Sequence, residues 1–251
     1  MKIDPIHQFN IEPLFTIGHI GNQTIAITNS SLYMFLAVAL ISILMIGGVA
    51  GRQLVPGRFQ SMAEISYEFV ASMIRSTAGA EGMKFFPLVF SLFRFICVSN
   101  LVGIIPYTFT VSSHIIITAT LALLVFFIVL IYGLYRNGLK FFKIFVPSGI
   151  PIYILPLVVF IEIFSFFLKP ISHSVRLFAN MLAGHIALKV FAGFVAMLGF
   201  SLGAIGWIGG IAPLALTVAL TALELLVAFL QAYVFAILTC IYLNDAIHPG
   251  H

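Results

Sequence analysis

The sequence predicts an all-α, polytopic membrane protein: one N-terminal transmembrane helix, an amphipathic interfacial helix, a transmembrane hairpin and two long, steeply tilted helices. Three observations carry this expectation. Of 251 residues, 61% are hydrophobic and only 8% charged, where a soluble domain carries roughly 25% charged residues. A bilayer core takes about 20 apolar residues per helical crossing, which bounds the chain to about five or six spans. No Asp, Glu, Lys or Arg occurs between Arg94 and Arg136, a run too long for one crossing and right for two.

Residues 1–31 mix polar and apolar side chains, with Asp4 and Glu12 interrupting any apolar core. They read as an outward-facing segment and not as a signal or transit peptide. The remainder, 32–251, is a single membrane domain. Its first span is 32–51, closed by Arg52 and the Pro56-Gly57 stop. Over 58–82, Glu64, Glu68, Arg75 and Glu81 are interleaved with Met62, Ile65, Phe69, Met73 and Ile74 at helical spacing. That pattern fits an amphipathic helix on the membrane surface or a solvated helix between spans. The hairpin covers 86–135, turning at Pro106 and the polar patch 108–114, with Asn100 inside its first arm. Arg52, Arg58 and Arg75 precede the hairpin, and Arg136, Lys140 and Lys143 follow it. The positive-inside rule puts both groups on the cytoplasmic side and the amino terminus outside. Residues 150–198 and 212–246 form the tilted pair, joined by the Gly-rich stretch 199–210 as an outward connection. A helix of about 45 residues would be nearly 70 Å long in a core about 30 Å thick, so the first of the pair must tilt or break. Pro170 stands where a kink would fall.

Several functions are excluded by what the chain lacks. Lys and Arg number 12 against 8 Asp and Glu, for a formal charge of +4, but the basic residues stand singly, so no nucleic-acid surface is expected. Cys97 and Cys240 lie far apart in apolar runs, which gives neither a disulfide framework nor a metal spacing. His114, His173 and His185 match no ligand motif, and no phosphate loop, dinucleotide fingerprint or nucleophile elbow occurs. No metal and no cofactor is expected.

The informative chemistry is polar and lies inside the last two apolar segments. Counting about 100° per residue from Glu162, the side chains of Lys169, His173, Arg176 and Asn180 all fall within about 40° of it. Gly184 and Ala187 continue that stripe with small residues where another helix can approach. His185 stands about 140° away and would face a different neighbour, the second tilted helix being the candidate. On the second segment Thr217, Glu224, Ala228 and Gln231 share one narrow sector. An intramembrane arginine costs about 2.5–3.5 kcal/mol on insertion scales. Arg176 therefore snorkels, pairs with Glu224 as structural glue, or meets a carboxylate on another subunit. His185 is either a satisfied structural residue or a relay.

The runs Ser174-Val-Arg-Leu-Phe-Ala-Asn-Met-Leu-Ala-Gly-His185 and Glu224-Leu-Leu-Val-Ala-Phe-Leu-Gln231-Ala-Tyr-Val-Phe235, with Ser99-Asn-Leu-Val-Gly-Ile-Ile-Pro106, resemble the a-subunit of the rotary F-type ATP synthase. The likeness extends over about residues 30–247 and is to the alphaproteobacterial and mitochondrial branch. It implies a non-catalytic proton-channel stator that offers two aqueous half-channels to the carboxylates of a rotating c-ring. The implied partners are the c-ring subunits, peripheral-stalk b subunits, the rest of the synthase, protons and lipid. The implied location is the bacterial inner membrane or, alternatively, the mitochondrial one. Arg176 matches the essential arginine that faces the ring carboxylate. Asn180, His185, Glu224 and Gln231 carry over to the outward half-channel, and Glu162 and His173 to the inward one. His185 and Glu224 occupy positions where other members place the acid and the histidine the opposite way round, which leaves open which of the two relays the proton.

The physics of these residue types suits that role. Desolvation raises a carboxylate pKa by some 3–5 units, while Arg176 at about 4 Å, with an effective dielectric near 20, lowers it by roughly 3. A ring carboxylate is then neutral against lipid and ionised against Arg176. An arginine cannot lose its own proton, so it also bars a direct leak. The alternative from another class is a self-contained proton-coupled secondary transporter, against which the chain shows no inverted repeat. A purely structural respiratory subunit would leave the paired polar stripes unexplained.

Overall fold

The computed structural model describes residues 9–20, 23–50, 55–105, 108–146, 151 and 153–248. Two short strands, β1 (Pro13–Ile20) and β2 (Gln23–Thr28), precede six helices: α1 (Asn29–Ala50), α2 (Arg58–Gly82), α3 (Phe86–Ile104), α4 (Ile115–Asn137), α5 (Leu155–Gly209) and α6 (Ile211–Ile247). Tighter 3₁₀ turns occupy Met83–Phe85, Val111–Ser113 and Gly138–Phe145. Five helical stretches among the described residues are long and apolar enough to cross a membrane: Asn29–Ala50, Arg58–Ile104, Ile115–Phe145, Leu155–Phe200 and Gly206–Ile247. The protein is an all-α, polytopic membrane protein. Asp4, the expected span end at Arg52, the turn residue Pro106 and the expected start of the first tilted segment at 150 lie outside the described residues.

The N-terminal segment holds a β-hairpin that a reading of mixed polar and apolar residues does not anticipate. The signal is short but present: four of the six residues Gln23-Thr-Ile-Ala-Ile-Thr28 are β-branched. The strands run antiparallel, pairing Phe15 with Ile27, Thr16 with Ala26 and His19 with Thr24. Strand β2 leads directly into the cap of α1. The Thr28 Oγ1 accepts from the Ser31 amide at 3.4 Å, and the Ser31 Oγ accepts from the Thr28 amide at 2.9 Å. This reciprocal capping box supplies two of the partners that a helix start leaves open. Asn29 pins the preceding chain: its Nδ2 donates to the Asn10 carbonyl at 2.9 Å and its Oδ1 accepts from the Glu12 amide at 3.3 Å.

Along α5 the backbone stays helical through Pro170 and leaves helical dihedrals only at Gly203 (φ 57°, ψ −133°). Of the two expected alternatives, tilt or break, the helix is not interrupted at Pro170. The lost amide is tolerable where neighbouring segments absorb the local strain. The connection expected across 199–210 narrows to this one glycine, whose missing Cβ admits a positive φ at no steric cost. Beyond it the chain doubles back. A Cβ on Gly199 would lie 2.9 Å from the Trp207 ring, which eight residues of straight helix, about 12 Å of rise, would not allow.

The chain forms two compact units, one from 1–41, 95–114 and 177–231, the other from 42–94, 115–176 and 232–251. In the first unit the fully buried Asn100 of α3 donates to the Ala228 carbonyl of α6 at 3.3 Å and accepts from the Ser112 hydroxyl at 2.5 Å. His114 stacks on Phe109 with ring centroids 4.9 Å apart, and burial holds its pKa below the usual histidine value. In the second unit α2 buries Val70, Ala71, Met73, Ile74 and Ala78 and exposes Glu64, Glu68 and Arg75. There Arg136 of α4 pairs with Glu81, and Asn137 donates to the Ala246 carbonyl of α6 at 2.7 Å.

Candidate functional site

Within the first unit, α5 and α6 face each other with two polar pairs. The Asn180 Nδ2 donates to the Gln231 Oε1 at 2.9 Å. The Nδ1 of His185 meets the Glu224 Oε1, and both side chains are buried. Helical spacing explains the doubling, because Asn180 to His185 and Gln231 to Glu224 each step between one and two turns along antiparallel neighbours. Gly184 makes the second pair possible: a Cβ there would lie 2.9 Å from the Glu224 Oε1, inside van der Waals contact. The His185 Nε2 and the Glu224 Oε2 are buried without a hydrogen-bond partner among the described residues. Buried polar atoms left this way cost about 1–3 kcal/mol each unless water reaches them.

The second unit holds the other expected residues. His173 is buried, its ring centroid 3.8 Å from that of Phe235 and 6.0 Å from that of Tyr242. Four residues before it, the Lys169 ammonium lies 3.2 Å from the Asp245 Oδ2 and 5.0 Å from the Tyr242 ring centre. Lys169, Pro170, His173, Tyr242 and Asp245 line a cavity of about 20 Å³, enough for roughly one water centre. Glu162 is half-buried and makes no ion pair among the described residues. Arg176 is exposed and likewise makes no ion pair among the described residues.

Two residues at these sites escape a reading of the sequence. Asp245 sits at the end of an apolar run and looks like a terminal solvated acid; the hint is Lys169 in the polar stripe, a cation in hydrocarbon that needs an anion. Phe9 lies in the N-terminal segment, and nothing in its spacing points to α5. Its ring is buried and stacks on the imidazole of His185.

The family model for the ATP synthase A chain matches residues 31–244. The chain belongs to the ATP synthase A chain family. Members similar to it along their whole length include proteins named ATP synthase subunit a. One from Bradyrhizobium diazoefficiens is 84% identical over 251 residues, 100% of both chains. One from Rhodopseudomonas palustris strain HaA2 is 78% identical over 251 residues, again 100% of both. One from Nitrobacter winogradskyi is 76% identical over 249 residues, 99% of this chain and 100% of that one. All the site residues described above except Phe9 and Asp245 lie inside the matched span of the ATP synthase A chain. Family membership and five apolar helices together make this a multi-pass membrane protein.

Proposed function

We propose that the chain is the proton-channel stator subunit of an F-type ATP synthase, non-catalytic by itself, and that it works in the inner membrane of a bacterium against a ring of c subunits. Peripheral-stalk b subunits hold it still. The observation that carries this reading is the state of Arg176. It is an exposed cation on an apolar helix with no anion of its own among the described residues, while the Glu224 carboxylate is taken by His185. An arginine so placed calls for a carboxylate from outside the chain.

Each residue then has a task. Asn180, His185, Glu224 and Gln231 line the outward half-channel, where the amides orient water and the His185–Glu224 pair exchanges a proton. Glu162 and His173 belong to the inward half-channel. Arg176, between His173 and Asn180 in the chain, ionises each ring carboxylate as it arrives. A proton falling through 100 mV releases about 2.3 kcal/mol, so several must pass for one ATP. A self-contained proton-coupled transporter finds no support among the relatives, all named as synthase subunits.

The test is Arg176→Ala and Arg176→Lys in the assembled complex. Both should abolish proton-driven ATP synthesis. Lysine fails because it can deprotonate in a low-dielectric site and lacks the planar fork that meets a passing carboxylate. A cysteine beside Arg176 should crosslink to one beside the ring carboxylate. Full synthesis in Arg176→Ala would reject the assignment.

A further inference from the structure

We propose that Phe9 is a positioning residue for the proton relay, its ring holding the His185 imidazole in the plane that presents Nδ1 to Glu224. The inference rests on the reading of His185 and Glu224 as relay sites and adds to it a residue outside both helices.

The geometry is specific. The Phe9 and His185 rings lie with centroids 6.2 Å apart and planes only 14° from parallel, within the 4.5–7 Å range of offset-stacked aromatic pairs. The Lys189 ammonium lies 5.9 Å from the centre of the same Phe9 ring. His185 and Lys189 are one turn apart on α5, so Phe9 covers both. The side chain is only 8% exposed. Its backbone is held as well, because Asn10 and Glu12, just beyond it, are tied by Asn29 to the capped start of α1.

An imidazole can turn about its terminal torsion in a broad, roughly two-fold well. With a flat partner on one face, the orientations that keep contact are those with the ring plane parallel to Phe9. In that plane Nδ1 meets Glu224, and Nε2 is left as the buried atom without a partner among the described residues. Those are the two ports a relay needs, one to the acid and one to water. Among the described residues, Glu224 of α6 meets the His185 ring directly and Lys189 stands one turn on along its own helix. Phe9 itself does not titrate, and the Lys189 ammonium stands over its ring, whose face attracts a cation electrostatically.

The experiment uses the whole synthase in inverted membranes with Phe9→Ala, Phe9→Leu and Phe9→Tyr. Passive proton flux is measured across a range of pH after the soluble ATPase is stripped, and is normalised to the amount of assembled chain. Leucine keeps the apolar burial but not the flat face. Phe9→Ala and Phe9→Leu should lower the flux per assembled complex by about three- to ten-fold, the weight of one aromatic pair, and change its pH profile. Phe9→Tyr should restore both. Wild-type flux and profile in Phe9→Leu would overturn the proposal, as would a loss in Phe9→Ala that matches only the loss of assembled chain. Glu224→Gln in the same assay separates the two ideas. If it conducts normally, the relay reading itself fails; if it blocks flux while Phe9→Leu conducts normally, only the role of Phe9 fails.

Discussion

Gly184 is the residue on which the His185–Glu224 contact turns. The carboxylate of Glu224 fills the space where any larger residue would place its Cβ, 2.9 Å from Oε1. Gly184→Ala should therefore push the carboxylate away from His185 without removing either titratable group. Overpacking of this kind costs typically 1–3 kcal/mol, so the expected result is an assembled complex whose dye-reported proton pumping is slowed several-fold or more. Normal pumping would mean that Glu224 has room to spare or no place in the path. At the same scale Asn180 and Gln231 satisfy each other at 2.9 Å. Each amide keeps one further polar group available for ordering water.

The elements are shaped by their ends more than by their middles. Helix α1 starts at Asn29 because Thr28 and Ser31 cap it reciprocally, directly after the last residue of β2. Thr28→Val keeps the β-branched shape and removes the hydroxyl. Loss of an N-cap typically costs about 1 kcal/mol, and the Ser31 amide, which donates to the Thr28 hydroxyl, should then exchange with solvent deuterium about five-fold faster in the purified complex. Unchanged exchange would show that the strand, and not the cap, holds this helix start. At the other extreme α5 ignores its proline and yields at Gly203. Steric permission for a left-handed residue decided where the chain reverses, and the missing amide of Pro170 did not.

The whole molecule is oriented by its loops. Arg136, Lys140 and Lys143 follow the α3–α4 hairpin, and the positive-inside rule predicts a cytoplasmic position for them and an outward one for the β-hairpin. Thr16 and Lys140 are both exposed, so single cysteines at these positions report on the two faces. A membrane-impermeant thiol reagent added to intact cells should label Thr16→Cys and spare Lys140→Cys. The reverse pattern would overturn the topology.

What the sequence by itself determined is the class of molecule and the identity of its chemistry. Low charge and long apolar runs leave no soluble alternative. The stripe from Glu162 to Asn180 and the sector from Thr217 to Gln231 follow from helical period alone. The motifs around Arg176 and Gln231 carried the family. Which groups meet was decided only by the tertiary structure. A helix period assigns a residue to a face but not the rotation of that face toward a neighbour, which packing sets through small residues such as Gly184. So Glu224 goes to His185 and Lys169 goes to Asp245. Phe9, whose segment has no periodicity to read, stacks on His185 from a stretch whose next residues are tied to Asn29 at the start of α1.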